Sequence, residues 1–216
     1  MYIERALEPL VRRYSENFKI VAVTGPRQVG KTTMLKHLME EEAESGVDRV
    51  YVTLDNTAIL QTAKEDPALF LQRYRPPVLI DEIQKAPELL PYIKMIVDER
   101  DDCGSVWITG SQPLHLMKAV SESLAGRVGI VEMLGLSHSE VAGTPSEPYL
   151  PSADYFMRRV DMAKPFGVSE AYRQICAGSL PGIRALPDDL RAGGYESYLD
   201  TYIMRDIRDL AQVGDE

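Results

Sequence analysis

The sequence predicts an α/β fold: a five-stranded parallel sheet flanked by helices, followed by a C-terminal helical segment. Three observations predict it. Strand-like and helix-like segments alternate through the first two thirds of the 216-residue chain. Several strand candidates, such as Ile20-Val21-Ala22-Val23 and Val78-Leu79-Ile80, are continuous apolar runs, the pattern of strands buried on both faces. The stretch Gly25-Pro26-Arg27-Gln28-Val29-Gly30-Lys31-Thr32 lies between an apolar strand and a helix-like segment. It fits the phosphate-binding loop pattern of Gly, four residues, then Gly-Lys-Ser/Thr.

The elements follow in order. Apolar Ile3, Leu7, Leu10 and Val11 predict a helix over 3–14. A strand over 18–23 leads into the loop, and a helix over 31–42 follows it, ended by Ser45-Gly46. The Val, Tyr and Thr content of 49–54 predicts a second strand. Asp66-Pro67 opens a helix through Tyr74, and Pro76-Pro77 forces an extended entry into the strand at 78–80. A helix over 87–99 places Leu90, Ile93, Ile96 and Val97 on one face. After the turn Asp101-Asp102-Cys103-Gly104 come a strand over 105–109, a helix over 114–124 and a fifth strand over 127–134. The composition then changes: 135–152 holds three prolines, two glycines and four serines, the mark of a boundary. Beyond it the pattern is helical, at 154–160, 169–177 and 190–210. The expected division is a nucleotide-binding core over 1–140, a linker over 141–152 and a helical segment over 153–216.

Composition bounds the reading. Hydrophobic content of 44% and charged content of 26% are ordinary for a soluble globular chain. No apolar run approaches a bilayer span, and the start lacks the basic and apolar regions of a signal peptide, so a cytoplasmic protein with no membrane partner is expected. Cys103 and Cys176 form no disulfide framework and no metal spacing; they read as reduced thiols, each a small buried or half-buried side chain. The net charge is −9, and 1–150 carries 16 Lys+Arg against 22 Asp+Glu while 151–216 carries 8 against 11. Neither part is basic, so the charge does not support a broad nucleic-acid footprint.

The motif chemistry points to a nucleotide. Glycines in the loop let backbone N–H groups surround phosphate oxygens, and the helix behind them adds a partial positive charge. Contacts are expected from Gly25, Pro26, Arg27, Gln28, Val29, Gly30, Lys31, Thr32 and Thr33. Lys31 would reach the β- and γ-phosphates; Arg27 would either touch phosphate or face solvent. Thr32 and Asp81 would hold Mg²⁺, Asp81 from the carboxyl end of an apolar strand, where ligands sit in open α/β sheets. Glu82, the next residue, is the expected base for the attacking water. One strand candidate, 49–54, intervenes between the loop and Asp81 and implies an inserted strand between the two motif strands. That arrangement favours ATPases with a catalytic Glu over simple kinases and GTPases. Ser111, with Gln112 second, would face the γ-phosphate from the next strand, or else cap the following helix. Arg127 would reach a nucleotide across a subunit boundary in a homo-oligomer, or else form a surface ion pair. The three histidines are scattered and predict no metal site.

GPRQVGKTT, LIDEIQKAPELL, the ITGS strand end and SLAGR, in that order, resemble the AAA_14 group of prokaryotic P-loop ATPases, within the AAA+/STAND-like set. The similarity runs from about residue 2 to 210, with weaker support from Gly178-Ser179-Leu180-Pro181 and 202–207. Two positions depart from the pattern: Gln112-Pro113 where a second Ser is frequent, and Gly135-Leu136-Ser137-His138-Ser139-Glu140 where Pro-Leu-Ser-Phe-x-Glu is frequent. The resemblance implies a P-loop NTPase fold that binds ATP with Mg²⁺, a helical segment after it, and usually a further DUF4143 domain, which this sequence does not contain. The expected activity is slow ATP hydrolysis that switches an attached C-terminal module. A nucleotide-binding switch with negligible turnover and an ATPase coupled to a nucleic-acid-processing partner remain as alternatives.

Overall fold

The computed structural model describes residues 2–111, 123–144, 149–163 and 165–203. Its five strands are β1 (Ile20–Thr24), β2 (Val50–Thr53), β3 (Val78–Asp81), β4 (Val106–Gly110) and β5 (Val128–Glu132). All pair in parallel, in the order β2-β3-β4-β1-β5. β1, β3 and β4 are buried at every position, as their unbroken apolar runs predict, while the edge strands β2 and β5 keep partly exposed positions. A strand does separate the two motif strands, but it is β4; the strand expected over 49–54 lies at the sheet edge.

Helices α1 (Glu8–Asn17), α2 (Lys31–Glu44), α3 (Thr57–Glu65), α4 (Pro67–Arg73) and α5 (Leu89–Asp98) accompany the sheet. Ile20, Ala22, Val78, Ile80, Val106 and Ile108 share one face of the sheet and pack with Phe70, Leu90 and Ile93 from α4 and α5. Fully burying a side chain of this size is worth about 1.5–3 kcal/mol. The opposite face carries Trp107, whose indole N–H donates to Ser15 Oγ of α1 at 2.8 Å. Gly129 of β5 lets α1 approach: a Cβ there would lie 2.6 Å from the Tyr14 ring.

Two elements differ from expectation. The helix expected over 3–14 begins at Glu8, because Pro9 is suited to a first helical turn. A helix absent from the expectation, α3, is capped by Asn56, whose Oδ1 accepts from the N–H groups of Ala58 at 3.0 Å and Ile59 at 3.3 Å. The helix expected over 114–124 lies almost wholly outside the described residues. Cys103 and Cys176 are exposed rather than buried.

The chain divides into two compact units, one spanning Leu7–Gly135 and the other taking in 2–6 together with the chain from 136 onward. In the second unit Glu140 organises the start of the chain beyond 136: Oε2 accepts from the Ser137 N–H at 2.7 Å and Ser137 Oγ accepts from the Glu140 N–H at 3.2 Å, a capping box for α6 (His138–Val141). Glu140 Oε1 accepts from the Ala6 N–H at 2.8 Å and Arg5 Nε at 3.0 Å. These bonds tie 2–6 to the second unit. Its other helices are α7 (Ala153–Met162), α8 (Val168–Ala177), α9 (Pro181–Arg184) and α10 (Arg191–Tyr198), the last continuing as a π-helical turn at Leu199–Ile203. Gly178 ends α8 with φ +66° and leaves room for the Tyr195 hydroxyl, which donates to Ala177 O at 3.2 Å. Among the described residues no helix is long and apolar enough to cross a membrane.

Candidate functional site

The site lies at the carboxyl edge of the sheet, within Leu7–Gly135. β1 delivers the chain into the loop at Gly25, whose φ is +137°; a Cβ there would sit 2.0 Å from Met133 O. Only glycine fits this position. Gln28 and Gly30 also take positive φ, +61° and +97°, and fold the loop back on itself. Gly30 then serves as N-cap of α2 without a side chain, so the first-turn N–H groups face an incoming anion together with the positive end of the helix. Val29 is buried and anchors the loop, whereas Pro26, Gln28 and Thr33 are exposed and Arg27 half-buried.

Lys31 is only 6% exposed, and its Nζ donates to the carbonyls of Gly25 at 2.9 Å and Pro26 at 2.8 Å. Burial lowers its pKa; the nearby Glu82 and Asp81 charges work against that shift and Arg27 works with it. An ammonium buried at the loop mouth gains most from an arriving phosphate.

Asp81 ends β3 and is 6% exposed. Three hydroxyls from three elements surround its carboxylate. Thr32 Oγ1 at the start of α2 donates to Oδ1 at 2.8 Å, Thr109 Oγ1 of β4 donates to the same oxygen, and the Tyr51 hydroxyl of β2 donates to Oδ2 at 3.2 Å. Burial, aided by the Asp81 charge, pushes the Tyr51 phenol up to about 12, so it stays protonated and keeps donating. Lys36 holds the Tyr51 ring from above, 3.8 Å from its centroid. Thr109 Oγ1 also accepts from the Glu82 N–H at 3.3 Å.

Glu82 follows in a left-handed conformation, φ +61° and ψ +44°, as the chain leaves β3 for a 3₁₀ turn at Ile83–Lys85. Such a backbone is unfavourable for a non-glycine residue and is found where function holds it. Its Oε2 accepts from Ser111 Oγ at 3.1 Å and from Gln84 Nε2, which also donates to Ser111 Oγ at 3.1 Å.

The structure brings Lys31, Thr32, Asp81, Glu82 and Ser111 together, with the Ser111 hydroxyl bonded to Glu82. Gln112 lies outside the described residues. Arg127 is not brought to this site: it precedes β5, at the amino edge of a sheet whose loop leaves the carboxyl edge. There it makes two bonds to Asp98, one of them Nη2 to Oδ2 at 2.9 Å. Tyr51, Gln84 and Thr109 contact Asp81 or Glu82 and were missed by the sequence reading. Thr109 had a signal, since it stands two residues before Ser111 and so shares its face.

Two other features lie away from the site. Glu8, His37 and Glu41 can bring ligand atoms within 4.8 Å of one another, but Arg12 contacts both carboxylates, to Glu8 at 3.3 Å and to Glu41 at 2.5 Å, and reads the cluster as an ion-pair network. A cleft of about 520 Å³ opens at the amino edge of the strands, lined in part by Arg49, Cys103 and Trp107. There Arg49 is held by Glu42 and stacks on Trp107, 3.8 Å from its centroid.

The model of the AAA_14 family, described as an AAA domain, matches residues 17–142. The uncharacterized proteins Rv2008c of Mycobacterium tuberculosis and Mb2031c of Mycobacterium bovis are each 30% identical over 205 residues, covering 94% of this chain and 39% of their own length. The chain thus spans well under half of these relatives. The Walker-type ATPase PABY2304 of Pyrococcus abyssi aligns with a TM-score of 0.57 at 15% identity, covering 98% of this chain and 76% of that one. AMPPCP-bound DnaA from Aquifex aeolicus aligns with a TM-score of 0.52 at 13% identity, covering 88% and 62%. At these identities the likeness is one of fold: a P-loop α/β architecture.

Proposed function

The chain belongs to the AAA_14 family of AAA domains, and from that premise we propose that it is a Mg²⁺-dependent ATP hydrolase of slow turnover whose nucleotide state switches an attached C-terminal module. The observation that carries the reading is the placement of Asp81 and Glu82 beside the loop. Thr32 and Asp81 meet at 2.8 Å, and Glu82 stands next to them in a positive-φ conformation with Ser111 on its carboxylate. A fold shared with a DnaA solved with AMPPCP bound supports an adenine nucleotide as the ligand.

In this reading the loop N–H groups cradle the β- and γ-phosphates. Lys31 turns its Nζ from the loop carbonyls toward them. The hydroxyl of Thr32 and the carboxylate of Asp81 are hard oxygen donors suited to Mg²⁺, which when bound offsets charge on the phosphates. Glu82 takes the proton of the attacking water as the water oxygen bonds to the γ-phosphorus and the bond to the bridging oxygen breaks, leaving ADP and phosphate. Ser111 holds the Glu82 carboxylate from the neighbouring strand. Arg127, paired with Asp98 at the opposite edge, serves the site only from another subunit of a homo-oligomer. Coupling to nucleic acid has no support from the acidic charge of the chain.

The test is phosphate release and nucleotide binding on purified protein. K31A should abolish ATP affinity. E82Q should keep binding and lose turnover by roughly a hundredfold or more. Wild-type turnover in E82Q removes the base assignment, and nucleotide that co-purifies with negligible turnover replaces the hydrolase with a binding switch. In assays mixing active and R127A subunits, activity independent of assembly rules out a trans-acting Arg127.

A further inference from the structure

Resting on the assignment of Glu82 as base, we propose that Gln84 orients the attacking water together with Glu82, its amide N–H₂ holding the base and its amide oxygen accepting the water's second hydrogen. The 3₁₀ turn at Ile83–Lys85 carries Gln84 back beside Glu82. Nε2 donates to Glu82 Oε2 and to Ser111 Oγ, so both amide hydrogens are used on the catalytic cluster. Ser111 adds a third contact by donating to the same Glu82 oxygen at 3.1 Å. The base is thus pinned through Oε2.

Gln84 Oε1 is buried and accepts no hydrogen bond among the described residues. A buried acceptor without a donor is costly, and a native structure retains one where a ligand or water supplies the donor. Exchanging the amide N and O does not remove the problem. It would set the amide oxygen against the Glu82 carboxylate and leave N–H₂ without an acceptor. The arrangement as it stands presents one acceptor, Gln84 Oε1, next to the group that takes the proton. A water has two O–H bonds: one is broken by transfer to Glu82, the other needs an acceptor that cannot compete for the proton. A neutral amide oxygen meets that requirement.

This assigns a role to a side chain two residues past Glu82, distinct from nucleotide affinity. It predicts a selective effect on the chemical step. Q84M, close in length but without donor or strong acceptor, should lower kcat about ten- to a hundredfold, no more than the loss of the base itself. ATP affinity, measured with a fluorescent ATP analogue, should stay within twofold. In the E82Q background the same change should cost nothing further, because a residue that acts through the base and its water has nothing left to orient. Q84E, of the same shape as the native side chain, should also lose turnover, since a carboxylate cannot donate to Glu82; it decides the matter if Q84M fails to fold. Wild-type kcat in Q84M or Q84E, a loss expressed in ATP affinity instead of kcat, or an additive loss in the double variant overturns the proposal. Wild-type kcat in Q84M beside an inactive E82Q defeats only the role of Gln84. E82Q as active as wild type defeats the base assignment beneath it. A wild-type chain with no turnover above that of E82Q defeats both.

Discussion

Replacing Thr109 with Val tests whether one hydroxyl anchors both the Asp81 carboxylate and the Glu82 backbone. Thr109 is completely buried at the end of β4. Its Oγ1 donates to Asp81 Oδ1 and accepts from the Glu82 N–H at 3.3 Å. Val keeps the shape and removes both bonds. A hydrogen bond to a charged group is worth about 1.5–3 kcal/mol and a neutral one about 0.5–1.5 kcal/mol. Asp81 retains the hydroxyls of Thr32 and Tyr51, which places its loss near the lower end. The expected destabilisation of T109V is therefore about 2–4 kcal/mol. Trp107, the one tryptophan of the chain, is buried two residues away on the same strand and reports unfolding of Leu7–Gly135 by fluorescence in urea. Turnover should fall at least tenfold, because Asp81 and Glu82 lose their common anchor. T109S keeps the hydroxyl and loses a methyl, so it should cost about 1 kcal/mol and leave turnover near wild type. T109V with the wild-type urea midpoint and turnover would refute the reasoning, as would T109S behaving like T109V.

Two further outcomes follow from other parts of the chain. G25A should lose binding of a fluorescent ATP analogue, because its φ of +137° disfavours a side chain and the new Cβ would lie 2.0 Å from Met133 O; wild-type affinity in G25A would show that the loop mouth can relax around it. In the second unit, burial raises the pKa of Glu140, but the N–H groups of Ser137 and Ala6 and the Arg5 guanidinium outweigh it and hold the carboxyl below its ordinary 4.5. The depressed value means the stabilisation is present above pH 4.5 and lost as pH falls through the folded-state value. E140Q should therefore lower helix stability at pH 7 and flatten its decline toward pH 3 in circular-dichroism melts, whereas a parallel decline in both proteins would exclude Glu140 as the source.

What was legible in the sequence was local. The loop, β1, α2 and the Val78–Asp81 strand are each written in consecutive residues, and they form as the pattern dictates. Glu82 and Ser111 were accessible because each stands at the end of an apolar strand. The hydroxyl web around Asp81 was not, because it depends on strand order and register. Thr53 pairs with Asp81, so Tyr51 reaches Asp81 along a diagonal between neighbouring strands, a relation no linear motif encodes. α3 was missed although Asn56 and the apolar Ile59, Leu60 and Ala63 carry a helix signature; its nine residues end where Asp66-Pro67 begins the next helix. Arg127 illustrates a rule that the sequence could have supplied. In a parallel sheet, a residue just before a strand sits at the edge opposite to a loop just after one, here across the five residues of β5.

The two adjacent carboxylates are built for different tasks. Asp81 is nearly inaccessible, and its donors come from β2, α2 and β4, so moving it would require three elements to give way together. Its position is fixed. Glu82 is half-buried, and the side-chain donors on its carboxylate, Ser111 and Gln84, both converge on Oε2. Its backbone sits in a left-handed conformation that costs of order 1–3 kcal/mol. That cost persists because the Thr109 hydroxyl takes the Glu82 N–H and the 3₁₀ turn begins at once. Among the described residues the Glu82 carboxylate is held at Oε2, while its backbone is fixed at the N–H by Thr109. Under the proposed hydrolase reading, a change at Glu82 and Ser111 leaves the hydroxyls around Asp81 in place.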